Sequence, residues 1–205
     1  DFSRTTTFNL DEYLGLPGDH PESYRYFMRR HLFDHVNLDP ERTYLPDGMA
    51  EDPRKACRNY EARIRESGGI DLQVLGIGVN GHIGFNEPTG SLGGRTWMKI
   101  LSEDTIRENS VHFENPEDVP HHCISMGIGT IMEARHCLLM AFGQKKANAV
   151  ADMIEGPITQ MCPGSVLQFH PRATIIVDRE AATFLHFKDH YRWIDANKMR
   201  WQKYD

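Results

Sequence analysis

The sequence predicts an α/β fold, a Rossmann-like three-layer sandwich with a mostly parallel sheet. Three observations carry this. Short apolar runs of strand length recur along the chain. Amphipathic stretches of helical period separate them. A glycine-rich loop follows one of the runs directly, at Gly76–Pro88. Continuous apolar strands alternating with helices describe a sheet covered on both faces.

The elements follow in order. Thr5–Leu10 is β-branched and aromatic and reads as the first strand. It runs into Asp11-Glu12-Tyr13 and a loop holding Gly15, Pro17 and Gly18. From Pro21 to Val36, apolar residues at 24, 27, 28, 32 and 36 keep helical spacing, with Pro21 suited to a first turn. Pro53–Ser67 repeats the pattern through Ala56, Cys57, Tyr60 and Ile64, and stops at Gly68-Gly69. Asp71–Gly78 is the second strong strand. Residues 89–122 are polar with little apolar period, either a mobile cover or an irregular excursion. Cys123–Gly127 and Cys137–Phe142 are strands. Gln144–Glu155 is a helix by its stripe of Ala147, Val150, Ala151 and Ile154, and Thr174–Val177 is a further buried strand. The segment from His186 to Asp205 is rich in charge and aromatics (Tyr191, Trp193, Trp201, Tyr204) and reads as a helical tail without chemistry. The organisation is thus a domain over 1–185 and a tail over 186–205.

Bulk composition narrows the function. With 205 residues, 40% of them hydrophobic, one core of ordinary size suffices. A net charge of −6 with both signs interspersed excludes a nucleic-acid footprint. An acidic total leaves room for a few placed donors to bind one phosphate. Cysteines 57, 123, 137 and 162 show no CxxC spacing and read as reduced thiols, which places the chain in the cytoplasm. No stretch approaches the roughly 18 apolar residues of a membrane span. The eleven histidines are scattered; His31 and His35 stand four apart, but no neighbouring ligand completes a metal site. No metal or cofactor is expected.

The chemistry concentrates at three predicted strand ends, where ligands gather in open α/β sheets. Asp11-Glu12 follows the first strand, Gly76–Pro88 the second, and Gly143-Gln144-Lys145-Lys146 a third. Glycines let the backbone approach a ligand. His82 and Glu87 are spaced to handle a proton over the same substrate atoms, with Asn80 as a second candidate to orient the imidazole. Lys146 at a helix start is unfavourable beside the positive helix end unless an anion lies nearby; Lys145 is the competing candidate.

The strings Phe8–Tyr13, His20–Tyr24 and Gly76–Pro88, with Arg95-Thr96, Met126–Thr130 and Gly143–Ala147, resemble the glucosamine-6-phosphate deaminase (isomerase) family over roughly residues 5–180. The resemblance implies conversion of glucosamine 6-phosphate and water to fructose 6-phosphate and ammonia, without metal, in amino-sugar catabolism. It implies that Asp11 is the base between C2 and C1, that His82 opens the pyranose ring with Glu87 assisting, and that Asn80 belongs to the catalytic set. Gly76 would contact the sugar through its backbone and Lys146 would bind the phosphate, with Glu12 at the substrate beside Asp11. Members occur as monomers and as homo-oligomers. Measured against the family, the first βα unit with its phosphate-cradling loop is expected before Asp1, so the domain reads as N-terminally truncated and of reduced activity. Val111 stands where many members have a phosphate-binding arginine, with Arg107 or His112 as substitutes. Trp97 and Gly90 replace residues that bind an N-acetylated sugar-phosphate activator, so no such activation is expected. Two other readings compete: a 6-phosphogluconolactonase-type hydrolase, which needs no base at C2, and a non-catalytic sugar-phosphate-binding module.

Overall fold

The computed structural model describes residues 1–199 and 201. In chain order these form β1 (Thr7–Phe8), β2 (Asp11–Tyr13), α1 (Tyr24–His31), β3 (Thr43–Tyr44), α2 (Pro53–Glu66), β4 (Gln73–Leu75), β5 (Trp97–Ile100) and α3 (Glu103–Asn109). Then come β6 (His122–Ser125), the single turn α4 (Ile128–Ile131), β7 (Cys137–Ala141), α5 (Ala147–Glu155), β8 (Ala173–Val177) and α6 (Lys188–Asn197). Strands β4, β7 and β8 make a parallel sheet in the order β4-β7-β8, and β1 pairs parallel with β3. The third sheet, β2-β6-β5, is antiparallel.

That antiparallel sheet departs from the sequence reading. Asp11-Glu12-Tyr13 reads as the exit of a strand, because Asp and Glu are poor strand formers. It is instead a strand of its own, with all three residues buried. Its ladder with β6 extends past both ends: Met126 N donates to Leu10 O at 2.6 Å and Leu14 N donates to His122 O at 2.9 Å. Tertiary pairing overrides local preference here.

The α2 prediction holds because every local signal agrees. Asp52 caps the helix by accepting from Lys55 N at 3.0 Å, and Pro53 fits the first turn, where no N–H is needed. The buried face is Cys57, Tyr60, Glu61 and Ile64, at helical spacing. The predicted helix over 21–36 is shorter, because Ser23 caps at Tyr26 N and a 3₁₀ turn takes over at Phe33–His35. Gln144–Lys146 is likewise a 3₁₀ turn leading into α5.

Side chains of the parallel sheet alternate by face. Leu75, Leu139 and Ala141 are buried in a core that includes Ala149, Val150 and Met153 of α5; each large apolar side chain so buried contributes roughly 1.5–3 kcal/mol. Val74, Met140 and Ile176 face the other way and remain exposed. The polar segment before β5 is held by a buried carboxylate. Glu61 Oε1 accepts from Thr96 N (2.8 Å), Thr96 Oγ1 (2.6 Å) and Thr130 Oγ1 (2.6 Å), while Arg95 pairs with Oε2 at 2.7 Å.

In the tail, α6 is tied to α5 through Glu155, which accepts from His186 N at 2.8 Å and Phe187 N at 3.0 Å. Trp193 and Trp201 are exposed; Tyr204 lies outside the described residues. No helix among the described residues is long and apolar enough to cross a membrane.

Candidate active site

A cavity of about 290 Å³ opens where β2, the Gly76–Pro88 loop, α3 and the start of α5 meet. Asp11, Gly76, His82 and Lys146 line it, together with Tyr24, Thr105, Glu108 and Asn109. A larger hollow of about 670 Å³ lies between β8, α5 and α6 and holds none of the predicted site residues.

The two acidic neighbours on β2 separate because adjacent side chains of a strand point to opposite faces. Asp11 faces the cavity. Only 9% of the residue is exposed, and no donor among the described residues reaches its carboxylate. Burial, with the charge of Glu12 beside it, pushes its pKa up to about 7. Glu12, expected at the substrate, does not line the cavity. Its oxygens accept from the backbone N–H groups of Tyr13, Tyr24 and Arg25, each at 3.0 Å, which fixes the start of α1. Burial still raises its pKa, against these three hydrogen bonds.

The Gly-rich loop delivers an imidazole and keeps two polar groups behind it. His82 Nδ1 lies 2.7 Å from Asn80 Oδ1 and 3.5 Å from Glu87 Oε2. Both neighbours are acceptors, so Nδ1 is the ring nitrogen that donates to them, and Nε2, on a residue that lines the cavity, has no hydrogen-bond partner among the described residues. Asn80 Nδ2 in turn donates to Glu87 Oε2 at 2.7 Å. Glu87 Oε1 accepts from Thr105 Oγ1 at 2.6 Å and Ser102 Oγ at 3.1 Å. Burial raises the Glu87 carboxyl, but its hydrogen bonds with His82, Thr105 and Asn80 outweigh that and hold it at about 2, so it stays ionised. Asn80 and Glu87 do not line the cavity; they meet it only through their contacts with His82.

Glycine is required where the loop is tightest. A Cβ on Gly78 would lie 2.2–2.5 Å from the His82 ring. Gly81 has φ +85°, and a Cβ there would meet Cys162 Sγ at 2.7 Å. Ser125 joins the loop to the Asp11 strand: it is the cross-strand partner of Asp11, and its Oγ accepts from Phe85 N at 3.0 Å. Asn86 Nδ2 adds bonds to Ile83 O and Met126 O, both at 2.9 Å.

At the far wall, Lys146 lines the cavity and Lys145 does not. Neither substitute for the missing arginine is there. Val111 is 78% exposed, Arg107 pairs with Asp104, and His112 is outside the lining. The sequence reading missed Thr105, Glu108 and Asn109, because 89–122 shows no long apolar period. The signal was local: Ser102 before Glu103-Asp104 is an N-cap with an acidic first turn. Among the described residues no group of three or more His, Cys, Asp or Glu is placed to hold a metal ion.

Comparison with known proteins gives a consistent result. A family model described as glucosamine-6-phosphate isomerases/6-phosphogluconolactonase matches residues 1–176. A glucosamine-6-phosphate deaminase of Pseudarthrobacter chlorophenolicus is 52% identical over 202 residues, 98% of this chain and 78% of that protein. One from Hahella chejuensis is 53% identical over 201 residues, covering 98% and 77%. Among solved structures, a monomeric glucosamine-6-phosphate deaminase superposes with a TM-score of 0.85 at 43% identity, over 87% of this chain and 74% of that one. A 6-phosphogluconolactonase from Trypanosoma cruzi shares the fold, with a TM-score of 0.68 at 20% identity over 86% and 70%.

Proposed function

This chain belongs to the family of glucosamine-6-phosphate isomerases and 6-phosphogluconolactonases, and from that premise we propose that it is a glucosamine-6-phosphate deaminase, producing fructose 6-phosphate and ammonia. One observation carries the reading: a buried, partner-free carboxylate and an imidazole with a free Nε2 face a single cavity that also takes in a lysine.

The residues divide the work. A closed amino sugar hides its aldehyde, so the anomeric hydroxyl must lose a proton and the ring oxygen must gain one. His82 Nε2 takes and returns that proton, while Asn80 and Glu87 hold its Nδ1–H. Asp11 then removes the C2 proton, giving an enolamine, and returns a proton to C1. The resulting C2 imine adds water and releases ammonia, leaving the ketone. A carboxylate whose pKa sits near 7 suits both directions of this transfer. Lys146 provides the cation for the phosphate. The backbone of Gly76 lies on the cavity wall beside the sugar. Glu12 serves the fold of this site by anchoring α1. The four cysteines are free and buried, which supports a reducing, cytoplasmic setting.

A lactonase would hydrolyse a ring ester with no need for a base at C2, so the exposure of Asp11 to the cavity favours the deaminase. The test is ammonia release from glucosamine 6-phosphate set beside hydrolysis of 6-phosphogluconolactone. Ammonia release and exchange of the C2 proton support the assignment; lactone hydrolysis alone, or binding of the sugar phosphate without turnover, rejects it.

A further inference from the structure

The short helix α3 meets both halves of the candidate site. Thr105 and Asn109 stand four apart on one face of it and both line the cavity. Asn109 Nδ2 donates to Tyr13 Oη at 2.8 Å, and Tyr13 lies on the same strand as Asp11. Thr105 is 4% exposed, and its hydroxyl donates to Glu87 Oε1 at 2.6 Å. Ser102 Oγ has one proton to give and two acceptors in reach, Glu87 Oε1 at 3.1 Å and Thr105 Oγ1 at 3.0 Å. Its lone pair meanwhile caps the helix at Thr105 N. Thr105 is therefore the committed donor to Glu87, and Ser102 a shared one.

We propose that Thr105 is a positioning residue for the reaction: its hydroxyl fixes the Glu87 carboxylate against Asn80 and His82, and so ties the tautomer of His82 to the seating of α3. The chain of contacts is continuous. Thr105 holds Oε1, which leaves Oε2 directed at Asn80 Nδ2 and His82 Nδ1; Asn80 Oδ1 then accepts the Nδ1 proton. Without the Thr105 bond Oε1 keeps only the longer contact to Ser102, at 3.1 Å, so the carboxylate is held less firmly and Nε2 loses part of what fixes its place on the cavity wall. The titratable group in contact with Glu87 is His82 on its own loop; Cys123 on β6 feels the Glu87 charge, and its thiol, raised by burial, carries no charge near neutral pH. Hydrogen bonds from Thr105 and Asn80 help hold the Glu87 carboxyl low, as the proposal requires.

The proposal rests on the deaminase reading for its kinetics but not for its structural part, so two measurements separate them. The first needs no turnover: NMR titration of the Glu87 carboxyl, with the ¹⁵N shifts of His82, in the substrate-free protein. Thr105→Val is expected to move the Glu87 titration upward and to mix the His82 tautomers; Thr105→Ser is expected to leave both close to the parent. The second is the pH profile of ammonia release. Thr105→Val is expected to lower kcat about ten- to a hundredfold, the worth of one hydrogen bond to a charged group, with a much smaller change in KM, and Thr105→Ser to recover most of it. An unchanged Glu87 titration and His82 tautomer in Thr105→Val overturns the proposal and leaves Thr105 a satisfied core hydroxyl. Altered NMR behaviour in a parent that releases no ammonia upholds the positioning of Glu87 and overturns the deaminase reading.

Discussion

Two carboxylates belong to this site, Asp11 on the cavity wall and Glu87 behind His82, and the fold treats them in opposite ways. Asp11 is buried with no donor within reach among the described residues, and burial drives its pKa to about 7. Glu87 is also largely shielded but receives Asn80, Thr105 and Ser102, with His82 alongside, and is held at about 2. Burial alone raises a carboxyl; hydrogen bonds to the charged form lower it. The difference shows which group is suited to moving protons under the proposed reaction. A carboxylate near 7 exchanges one readily, while a carboxylate near 2 is a standing charge that orients its neighbour.

The largest break in this contrast is Asp11→Asn. It is expected to lower kcat/KM by about 10²–10⁴-fold and to stop C2 proton exchange measured by deuterium incorporation. The same change is expected to stabilise the fold. A raised folded pKa means that the native state is penalised as pH climbs from the unfolded value of 3.8 to about 7. The gain should therefore be absent below the lower value, grow between the two, and level off above, at roughly 2–4 kcal/mol by denaturant titration at pH 8.

Gly78→Ala breaks the other side. Its Cβ has no room beside the imidazole, so His82 must leave its place. A loss of about ten- to a hundredfold in kcat with near-parent circular dichroism is the expected result, read by ammonia release.

Glu87→Gln tests the standing charge. A lowered folded pKa gives stability that is present above the unfolded value of 4.5 and is lost as pH falls towards about 2. The variant should be less stable than the parent at pH 7, by about 1–3 kcal/mol, with the gap closing over that acid window in thermal melts. The smallest effect is in the parent itself. Its kcat/KM should rise with pH through about 7 as Asp11 loses its proton; a flat profile between 6 and 8 would remove the contrast.

Much of this site could be read in the sequence, and the failures have a common cause. Asp11, Gly76, His82 and Lys146 all reach the cavity; the loop glycines were read as allowing close approach to a ligand, whereas at Gly78 and Gly81 the fold shows a Cβ would meet the His82 ring and Cys162. Glu12 was misplaced because its identity resembles that of Asp11 while its strand parity is opposite. Nothing in the string Asp11-Glu12-Tyr13 announces that parity without the β6 ladder. Glu87 was read as sharing the substrate atoms with His82 and Asn80 as a group that could orient the imidazole; the fold sets both against His82 Nδ1, and neither lines the cavity. Helix α3 was overlooked because seven residues carry too little apolar period to register, although the Ser102 cap was legible.

The sequence by itself determined what is local. It set the caps and stripe of α2, the glycines of the loop, the apolar strands, and the residue types that can move a proton, since these depend on sterics and periodicity within a few residues. Only the tertiary structure decided which carboxylate is left without donors and raised, and which is hydrogen-bonded and held ionised. That choice depends on how much water and how many donors each group keeps, and those donors come from elsewhere in the chain. Ser125 welds the His82 loop to the Asp11 strand, and α3 brings Thr105 to Glu87. A pKa is set by surroundings that a linear string does not contain.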